Sequence, residues 1–225
     1  FPRLARARAA MVCGADLVLE LPALGSLSSA EGFARTGVRF LSPLCDHLCF
    51  GTESGTAEGL AATAKALLHP AFSEALRAAL STGISFPAAR QAALEQMGMK
   101  VGLLVRPNDI LGVEYCKAIL ELGASLVPIP LPRQGAGHGQ ALTETGGQFA
   151  SASALRTLWQ NGGADAAAPY VPAEVLPLYR EAFAAGQYTD LAAAQRCQLA
   201  LLRSRCAGTA PFAQVRGISE GLEHR

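Results

Sequence analysis

Three observations predict an α/β fold for this chain. Short apolar runs bounded by glycine or proline alternate with segments that favour helices. One such run ends in a glycine-rich polar turn that opens a helix, as βα junctions of open parallel sheets do. Beyond residue 165 the pattern is purely helical. We therefore expect an incomplete Rossmann-like sheet, a helical insertion and the start of a C-terminal helical domain.

The length and composition allow one sheet domain with a smaller appendage. The chain has 225 residues, is 50% hydrophobic and carries a formal net charge of +1, which favours no class of partner. No apolar run approaches the roughly 20 residues that a membrane span requires. Six cysteines lie mostly in apolar stretches without a signal peptide, so we expect reduced, buried thiols in a cytoplasmic protein.

The first predicted strand follows an N-terminal helix. Residues 3–13 have helical propensity and are followed by glycine, the usual residue after a helix end. The branched apolar run at residues 16–20 predicts a buried strand. Ser28 and Ser29 then offer an N-terminal cap for a helix that extends to about Phe40.

The second predicted strand, residues 46–50, leads into the central motif of the chain. It stops at Gly51, and the polar turn of residues 52–55 opens a helix at residues 57–68. Free backbone N–H groups at the start of such a helix suit phosphate or carboxylate. The helical pattern continues without a strand over residues 57–98, which we interpret as a helical excursion.

The third predicted strand, residues 125–130, contains two prolines that suit an edge position. The helix before it covers residues 110–122, and Asn108 or Asp109 can cap its start. A glycine-rich loop follows the strand, a further helix ends near Trp159, and two or three amphipathic helices are expected after residue 169. We therefore predict two domains, residues 1–165 and residues 166–225.

Polar residues stand at the predicted strand ends of an otherwise apolar chain. Gly51, Asn108 and Arg133 each follow a strand or open a helix, and Ser151, Ser153 and Arg156 form a fourth polar segment. Carboxyl ends of parallel strands gather at one edge, where nucleotides bind. Glycine admits a base or ribose close to the backbone, and arginine is a fixed cation for polyphosphate. Each residue also has a plain interpretation as a turn, cap or surface residue.

Two further patterns bear on metal binding and on nucleic-acid binding. The sequence CDHLC at residues 45–49 has no second Cys/His pair at ligand spacing, so we expect no metal site. Arginines cluster near both ends of the chain and suit either solvated helix faces or contact with a nucleic-acid backbone. The C-terminal members are Arg196, Arg203, Arg205, Arg216 and Arg225.

Six ordered motifs resemble one family over essentially the whole chain. The bacterial tRNA(Met) cytidine acetate ligases, a branch of the nucleotidyltransferase-like α/β superfamily, carry similar segments in the same order. The motifs here are GADLVLELP, LCFGTESG, PNDILGVEYCKAI, PLPRQGAGHG, SASALR and SEGLEHR. PNDILGVEY and LCFGTESG are the most specific of them.

The resemblance implies an enzyme that activates acetate as acetyl-adenylate with ATP and acetylates N4 of the wobble cytidine of elongator tRNA(Met). It implies that Gly51, Asn108 and Arg133 bind ATP, with Mg²⁺ accompanying the nucleotide. Ser151, Ser153 and Arg156 are second-rank candidates near the phosphates. Within this hypothesis Arg196, Arg203 and Arg205 contact tRNA.

Two departures from the family pattern limit what the resemblance implies. The family's His-x-Gly-His motif is absent, because the histidines are His47, His69, His138 and His224. We therefore expect the chain to begin after that segment, to stop before the family's C-terminal end and to be inactive alone; no catalytic residue is assigned. The glycine loop also has His138-Gly139-Gln140 where the family usually has Tyr-His-Asp.

Two alternatives to the ligase stay open. One is a catalytically inactive remnant that binds nucleotide or RNA. The other is a nucleotidyltransferase that acts on a small phosphorylated metabolite.

Overall fold

The computed structural model describes residues 1–99, 101–133 and 150–205. The chain divides into two compact units, one of residues 19–135 and the other of residues 1–18 with 136–225. This grouping differs from the predicted division at residue 165. The predicted domains stay a prediction, because compactness in space does not establish which stretches fold independently.

The elements alternate as an α/β fold requires, although helices predominate. In chain order they are α1 (Arg3–Val12), α2 (Ala23–Ser26), α3 (Ala30–Leu41), β1 (His47–Thr52), α4 (Ala57–Leu68), α5 (Pro70–Leu80), α6 (Phe86–Gln96), a 3-10 helix (Val101–Leu104), α7 (Pro107–Leu122), β2 (Val127–Pro132), α8 (Ala152–Gly162), a 3-10 helix (Ala164–Tyr170), α9 (Leu176–Ala184) and α10 (Leu191–Arg205).

The sheet of the described residues consists of β1 and β2, which run parallel with Gly51 opposite Leu131. The predicted strands at residues 46–50 and 125–130 are confirmed, each displaced by one or two residues. The helical excursion between them is also confirmed. Its first helix, α4, begins where predicted because the Thr56 hydroxyl caps it, accepting a hydrogen bond from Gly59 N at 3.1 Å.

Helix α7 is the centre of the 19–135 unit. Its Val113 is fully buried with Leu60 of α4 and Leu94 of α6, whereas Ile119 packs in a second cluster with Val38 of α3. A Cβ at Gly112 would lie 2.9 Å from the ring of Phe50 in β1, so glycine is what lets α7 approach the strand. Helix α7 therefore fixes the sheet relative to the helical excursion.

The predicted strand at residues 16–20 is wrong. These residues form no strand, and Leu17 and Leu19 are 63% and 45% exposed. An apolar run becomes a strand only when a neighbouring strand pairs with it and a layer covers it. In the part of the chain that the structure describes, the sheet ladder joins β1 to β2 alone.

The expectation of buried thiols is also wrong for most cysteines. Cys116 in α7 is buried, and burial raises the pKa of its thiol to about 11. The thiols of Cys13, Cys45, Cys49 and Cys197 are exposed. Cys49 is exposed because it lies on the open face of β1, opposite Ile129, which is itself 39% exposed.

The other unit is helical in its described residues. Trp159 of α8 contacts Tyr179 of α9 edge to face, with ring centroids 5.4 Å apart, and the Phe1 ring stacks on Tyr179 at 4.5 Å. These aromatic contacts join α1, α8 and α9. No helix in residues 1–99, 101–133 or 150–205 is long and apolar enough to cross a membrane.

Candidate functional site

The two parallel strands end at the same edge of the sheet, which we call the carboxyl edge. β1 ends at Thr52 and β2 at Pro132, its register partner. The ladder continues one step further, since Arg133 N donates a hydrogen bond of 2.8 Å to the carbonyl oxygen of Thr52. The backbone of Arg133 is therefore fixed beside the end of β1, next to Gly51.

Helix α7 begins at this edge because Asp109, in its first turn, binds the turn of residues 52–55. Oδ1 accepts hydrogen bonds from the backbone N–H groups of Glu53 (2.9 Å), Ser54 (3.1 Å) and Gly55 (3.2 Å). The Thr52 hydroxyl donates to the same oxygen, and the Ser54 hydroxyl donates to Oδ2 at 2.6 Å. We call this set of contacts the Asp109 network.

The turn of residues 52–55 also binds back to the start of α7. Glu53 Oε2 accepts a hydrogen bond of 3.0 Å from the backbone N–H of Asp109, one of the N–H groups that the start of α7 leaves without a helical partner. The prediction that Asn108 or Asp109 caps the helix is therefore wrong. The N-terminal residue before the helix is Arg106, whose side chain forms no cap, and Glu53 from the turn supplies the acceptor.

Asp109 is fully buried yet stays ionised. Burial by itself would raise the pKa of its carboxyl. Hydrogen bonds from the hydroxyls of Ser54 and Thr52, and from the backbone N–H groups of Ser54 and Glu53, outweigh that effect and lower the pKa below its ordinary value. The network therefore holds a negative charge inside the carboxyl edge.

The N–H groups of Glu53, Ser54 and Gly55 in the turn are occupied by the carboxylate of Asp109. The predicted suitability of the start of α4 for phosphate or carboxylate stays a prediction. The neighbouring predicted residues have open polar groups. In the part of the chain that the structure describes, the side chains of Asn108 and Arg133 form no hydrogen bond or ion pair. Among the described residues, a Cβ at Gly51 would meet no atom within 4 Å.

Gly51, Asn108 and Arg133 thus lie at one edge. Gly51 precedes Thr52 and Asn108 precedes Asp109, both in the Asp109 network, and Arg133 forms the last hydrogen bond of the strand ladder. Arg133 is exposed and Asn108 is half-buried. Such an edge offers an amide, a guanidinium and an unobstructed glycine to a ligand. Two cavities of about 400 and 650 Å³ lie elsewhere, in the unit of residues 1–18 and 136–225.

The second-rank residues belong to that other unit. The Ser151 hydroxyl caps α8 by accepting from Ala154 N at 3.2 Å, and it lies 3.0 Å from the Ser153 hydroxyl. Arg156 is exposed. Ser151 therefore has the plain role of a helix cap, and a role for the three residues in ATP binding stays a prediction.

The predicted tRNA-contacting arginines lie in α10. Arg196 and Arg203 are exposed and seven residues apart, which puts them on one face of the helix. Arg205 is the last residue of α10. The glycine loop with His138, Gly139 and Gln140 lies outside the described residues. Within residues 1–99, 101–133 and 150–205 no group of three His, Cys, Asp or Glu side chains could hold a metal ion.

Sequence reasoning missed how Asp109 and Glu53 act. Both are carboxylates, but no spacing rule pairs residues 56 positions apart. The available signal was chemical: a turn rich in N–H and hydroxyl donors requires an acceptor, and an acidic residue at the start of a neighbouring helix is one.

The fold and the carboxyl edge define a nucleotidyltransferase-like protein, and comparison with known families agrees. The profile of the family described as HIGH Nucleotidyl Transferase matches residues 1–225. The chain belongs to this family.

Within this family, the chain is similar to proteins named tRNA(Met) cytidine acetate ligase and to solved structures of TmcAL. The chain is similar to the tRNA(Met) cytidine acetate ligases of Caldanaerobacter subterraneus subsp. tengcongensis, 37% identical over 81% of this chain and 47% of that protein, and of Thermoanaerobacter sp., 31% identical over 98% and 55%. The apo crystal structure of Thermotoga maritima TmcAL matches with a TM-score of 0.86 and 29% identity over 99% of this chain and 54% of that one. TmcAL bound with alpha-thio ATP matches with a TM-score of 0.79 and 27% identity over 99% and 53%.

These similarities confirm the predicted resemblance and the α/β nucleotidyltransferase-like fold class. The chain spans about half the length of the curated relatives it matches.

Proposed function

We propose that this chain is the ATP-binding part of a ligase that activates acetate as acetyl-adenylate and N4-acetylates the wobble cytidine of elongator tRNA(Met). The observation that supports the proposal is the carboxyl edge: Gly51 precedes Thr52, Arg133 N bonds the Thr52 carbonyl oxygen, and Asn108 precedes Asp109, which also bonds Thr52. The side chains of Asn108 and Arg133 have no partner among the described residues. The similarity to tRNA(Met) cytidine acetate ligases and to TmcAL bound with alpha-thio ATP supports it.

Each residue has a role that follows from its chemistry. The Arg133 guanidinium is a permanent cation with donors suited to phosphate oxygens. The Asn108 amide can donate and accept hydrogen bonds to the nucleotide. The open space at Gly51 admits the ribose or base close to β1.

The reaction has two steps. A carboxylate oxygen of acetate attacks the α-phosphorus of ATP, a P–O bond forms, and pyrophosphate leaves with the electron pair of the broken bond. The N4 amine of cytidine then attacks the acetyl carbonyl, and AMP leaves as the amine loses a proton. Catalysis of the first step would be mainly electrostatic, with Arg133 stabilising the charge on the phosphates.

Magnesium enters this proposal as part of the MgATP substrate. The Asp109 carboxylate accepts five hydrogen bonds within the network, and we assign it no role in holding the ion. The phosphates themselves would hold the ion, which neutralises charge as pyrophosphate leaves.

Contact with tRNA is assigned to Arg196, Arg203 and Arg205 of α10, whose cations would pair with phosphates. Binding of tRNA should then weaken steeply as salt rises. Ser151, Ser153 and Arg156 stay second-rank candidates for the ATP phosphates. A tRNA-modifying enzyme of this kind would act in the cytoplasm.

The test uses the product of the complete reading frame that contains these 225 residues. With ATP and acetate but without tRNA, we expect acetyl-AMP and pyrophosphate to form, and adding elongator tRNA(Met) should yield N4-acetylcytidine. Asn108→Ala and Arg133→Ala should each lower acetyl-AMP formation sharply. ATP binding without acetyl-AMP would instead favour a non-catalytic nucleotide-binding protein, and unchanged activity in both variants would remove the site assignment.

A further inference from the structure

We propose that Asp109 is a positioning residue: its carboxylate occupies the anion-binding N–H groups of the turn of residues 52–55 and thereby directs the ATP phosphates to Arg133. The inference rests on the ATP site proposed above. It assigns Asp109 a role through its neighbours and no contact with the nucleotide.

The first step of the argument is that the turn is saturated. Three successive backbone N–H groups and two hydroxyls already donate to one buried carboxylate. Oδ1 accepts four of these hydrogen bonds and Oδ2 accepts one, so each of these donors of the turn already has an acceptor. A phosphate that approached the turn would find no free donor and would be repelled by the charge of Asp109.

The second step is that the network fixes the ATP-binding residues. Asn108 precedes Asp109, and Gly51 precedes Thr52, so contacts in both directions between the turn and α7 set the separation of the two residues. The close packing behind the turn is equally constrained, since a Cβ at Gly55 would lie 2.8 Å from Leu60. Asn108 and Gly51 are therefore held by a rigid set of contacts that the ligand does not have to assemble.

The third step concerns where the phosphates can bind. At the carboxyl edge the Arg133 guanidinium has no acidic partner among the described residues, and its backbone is tied to Thr52 at 2.8 Å. The carboxyl edge thus combines a buried negative charge at Asp109 with an exposed cation at Arg133 that has no acidic partner among the described residues, and this separation of charge gives the edge a polarity. A triphosphate oriented by that polarity would point toward Arg133.

The experiment compares wild type with Asp109→Ala, Asp109→Asn and the control Asp165→Ala. Asp165 is an exposed aspartate with one ion-pair partner, Arg180. Removing the Asp109 side chain uncovers the three N–H groups, so inorganic phosphate should raise the melting temperature of Asp109→Ala by roughly 3 °C at ten times its dissociation constant. Wild type, Asp109→Asn and Asp165→Ala lack this additional site, so phosphate should raise their melting temperatures clearly less, by no more than binding at Arg133 provides.

Affinity for ATP provides the second measurement. We expect Asp109→Ala to bind ATP roughly tenfold to a hundredfold more weakly than wild type, because Asn108 loses its fixed position. Sodium formate, a carboxylate small enough to replace the lost group, should restore part of that affinity. A residue needed only for folding would show no anion-dependent recovery of ATP affinity.

A third measurement uses wild-type protein alone, so its outcome does not depend on whether a variant folds. Inorganic pyrophosphate added to isotopically labelled wild type should leave the amide resonances of Glu53, Ser54 and Gly55 unchanged. Shifts of these three resonances, wild-type ATP affinity in Asp109→Ala, or no phosphate-dependent stabilisation of that variant would each overturn the proposal. Absence of ATP binding by wild type would contradict the proposed function instead, since the phosphate and pyrophosphate measurements need no ATP.

Discussion

At the scale of single residues, the buried charge of Asp109 controls the carboxyl edge. A carboxylate without exposure to water is stable only when its oxygens are hydrogen-bonded, and five donors meet that requirement here. Glu53 completes the arrangement by accepting from the start of α7. The same contacts that keep Asp109 ionised also order the residues beside it.

The lowered pKa of Asp109 predicts a pH-dependent stability. Because the folded-state pKa lies below the ordinary value of about 4, the stabilisation is complete above that pH and is lost as pH falls through the folded-state pKa. Asp109→Asn should lower the free energy of unfolding at pH 7 by about 2 kcal/mol. Urea titrations from pH 7 to pH 2 should show a flatter acid dependence for the variant than for wild type.

The comparison with wild type isolates Asp109 from other acids. The pKa of Glu31 is also lowered, chiefly by a hydrogen bond from Lys117, and this group contributes the same acid dependence to both proteins. Parallel curves for the two proteins between pH 5 and pH 2 would show that Asp109 carries no special charge stabilisation.

At the scale of elements, α7 joins the carboxyl edge to the surrounding helices through ion pairs as well as packing. Glu114 is 4% exposed and pairs with Arg90 of α6 at 2.5 Å and with Lys117 at 3.5 Å. Lys117 also reaches Glu31 of α3 at 2.5 Å. These ion pairs therefore link α3 and α6 to α7, the helix that carries Asn108.

Removing the charge of Glu114, which is shared by two of these ion pairs, should destabilise the protein. Glu114→Gln leaves the largely buried cation of Arg90 without its carboxylate partner and removes the more distant of the two partners of Lys117, so we expect the free energy of unfolding to fall by about 3 kcal/mol. Glu121→Gln is the matched control, because its partner Arg35 is 54% exposed and such pairs contribute less than about 1 kcal/mol. Equal losses for the two variants in chemical denaturation would contradict this account of α7.

The elements also show which features could be predicted from the sequence. Helices α4 and α7 were predictable because apolar residues recur at helical spacing, a cap marks the start of α4 and Gly123 marks the end of α7. The start of α7 was predicted three residues too late, because its acceptor comes from Glu53 and not from a local cap. The run at residues 16–20 has strand composition but is largely exposed, since burial depends on neighbours that a local pattern does not specify. The Asp109 network was not predictable for the same reason: it joins residues far apart in sequence through contacts that only the packing of α7 on β1 creates.

At the scale of the whole molecule, one face of the sheet is open. Val127, Ile129 and Leu131 alternate along β2 and are 51%, 39% and 52% exposed, and the register puts Cys49 and Gly51 of β1 on the same face. Adjacent apolar side chains on an exposed sheet face favour association with other apolar surfaces.

The open face predicts poor solubility for the isolated 225-residue chain. We expect it to bind the dye ANS and to self-associate in sedimentation experiments. Ile129→Thr should reduce dye binding, whereas Ile84→Thr, an exposed isoleucine of the segment between α5 and α6, should not. A monodisperse chain without dye binding, or equal effects of the two substitutions, would contradict the prediction.

The whole account depends on ATP binding at the carboxyl edge, and calorimetric titration of ATP into the product of the complete reading frame tests it most directly. We expect Arg133→Ala to weaken binding about tenfold to a hundredfold and Asn108→Ala about fivefold, from the loss of charged and neutral hydrogen bonds respectively. The exposed residues Arg77 and Asn161 supply matched controls, and their alanine variants should bind as wild type does. Wild-type affinity in both Arg133→Ala and Asn108→Ala would contradict the account.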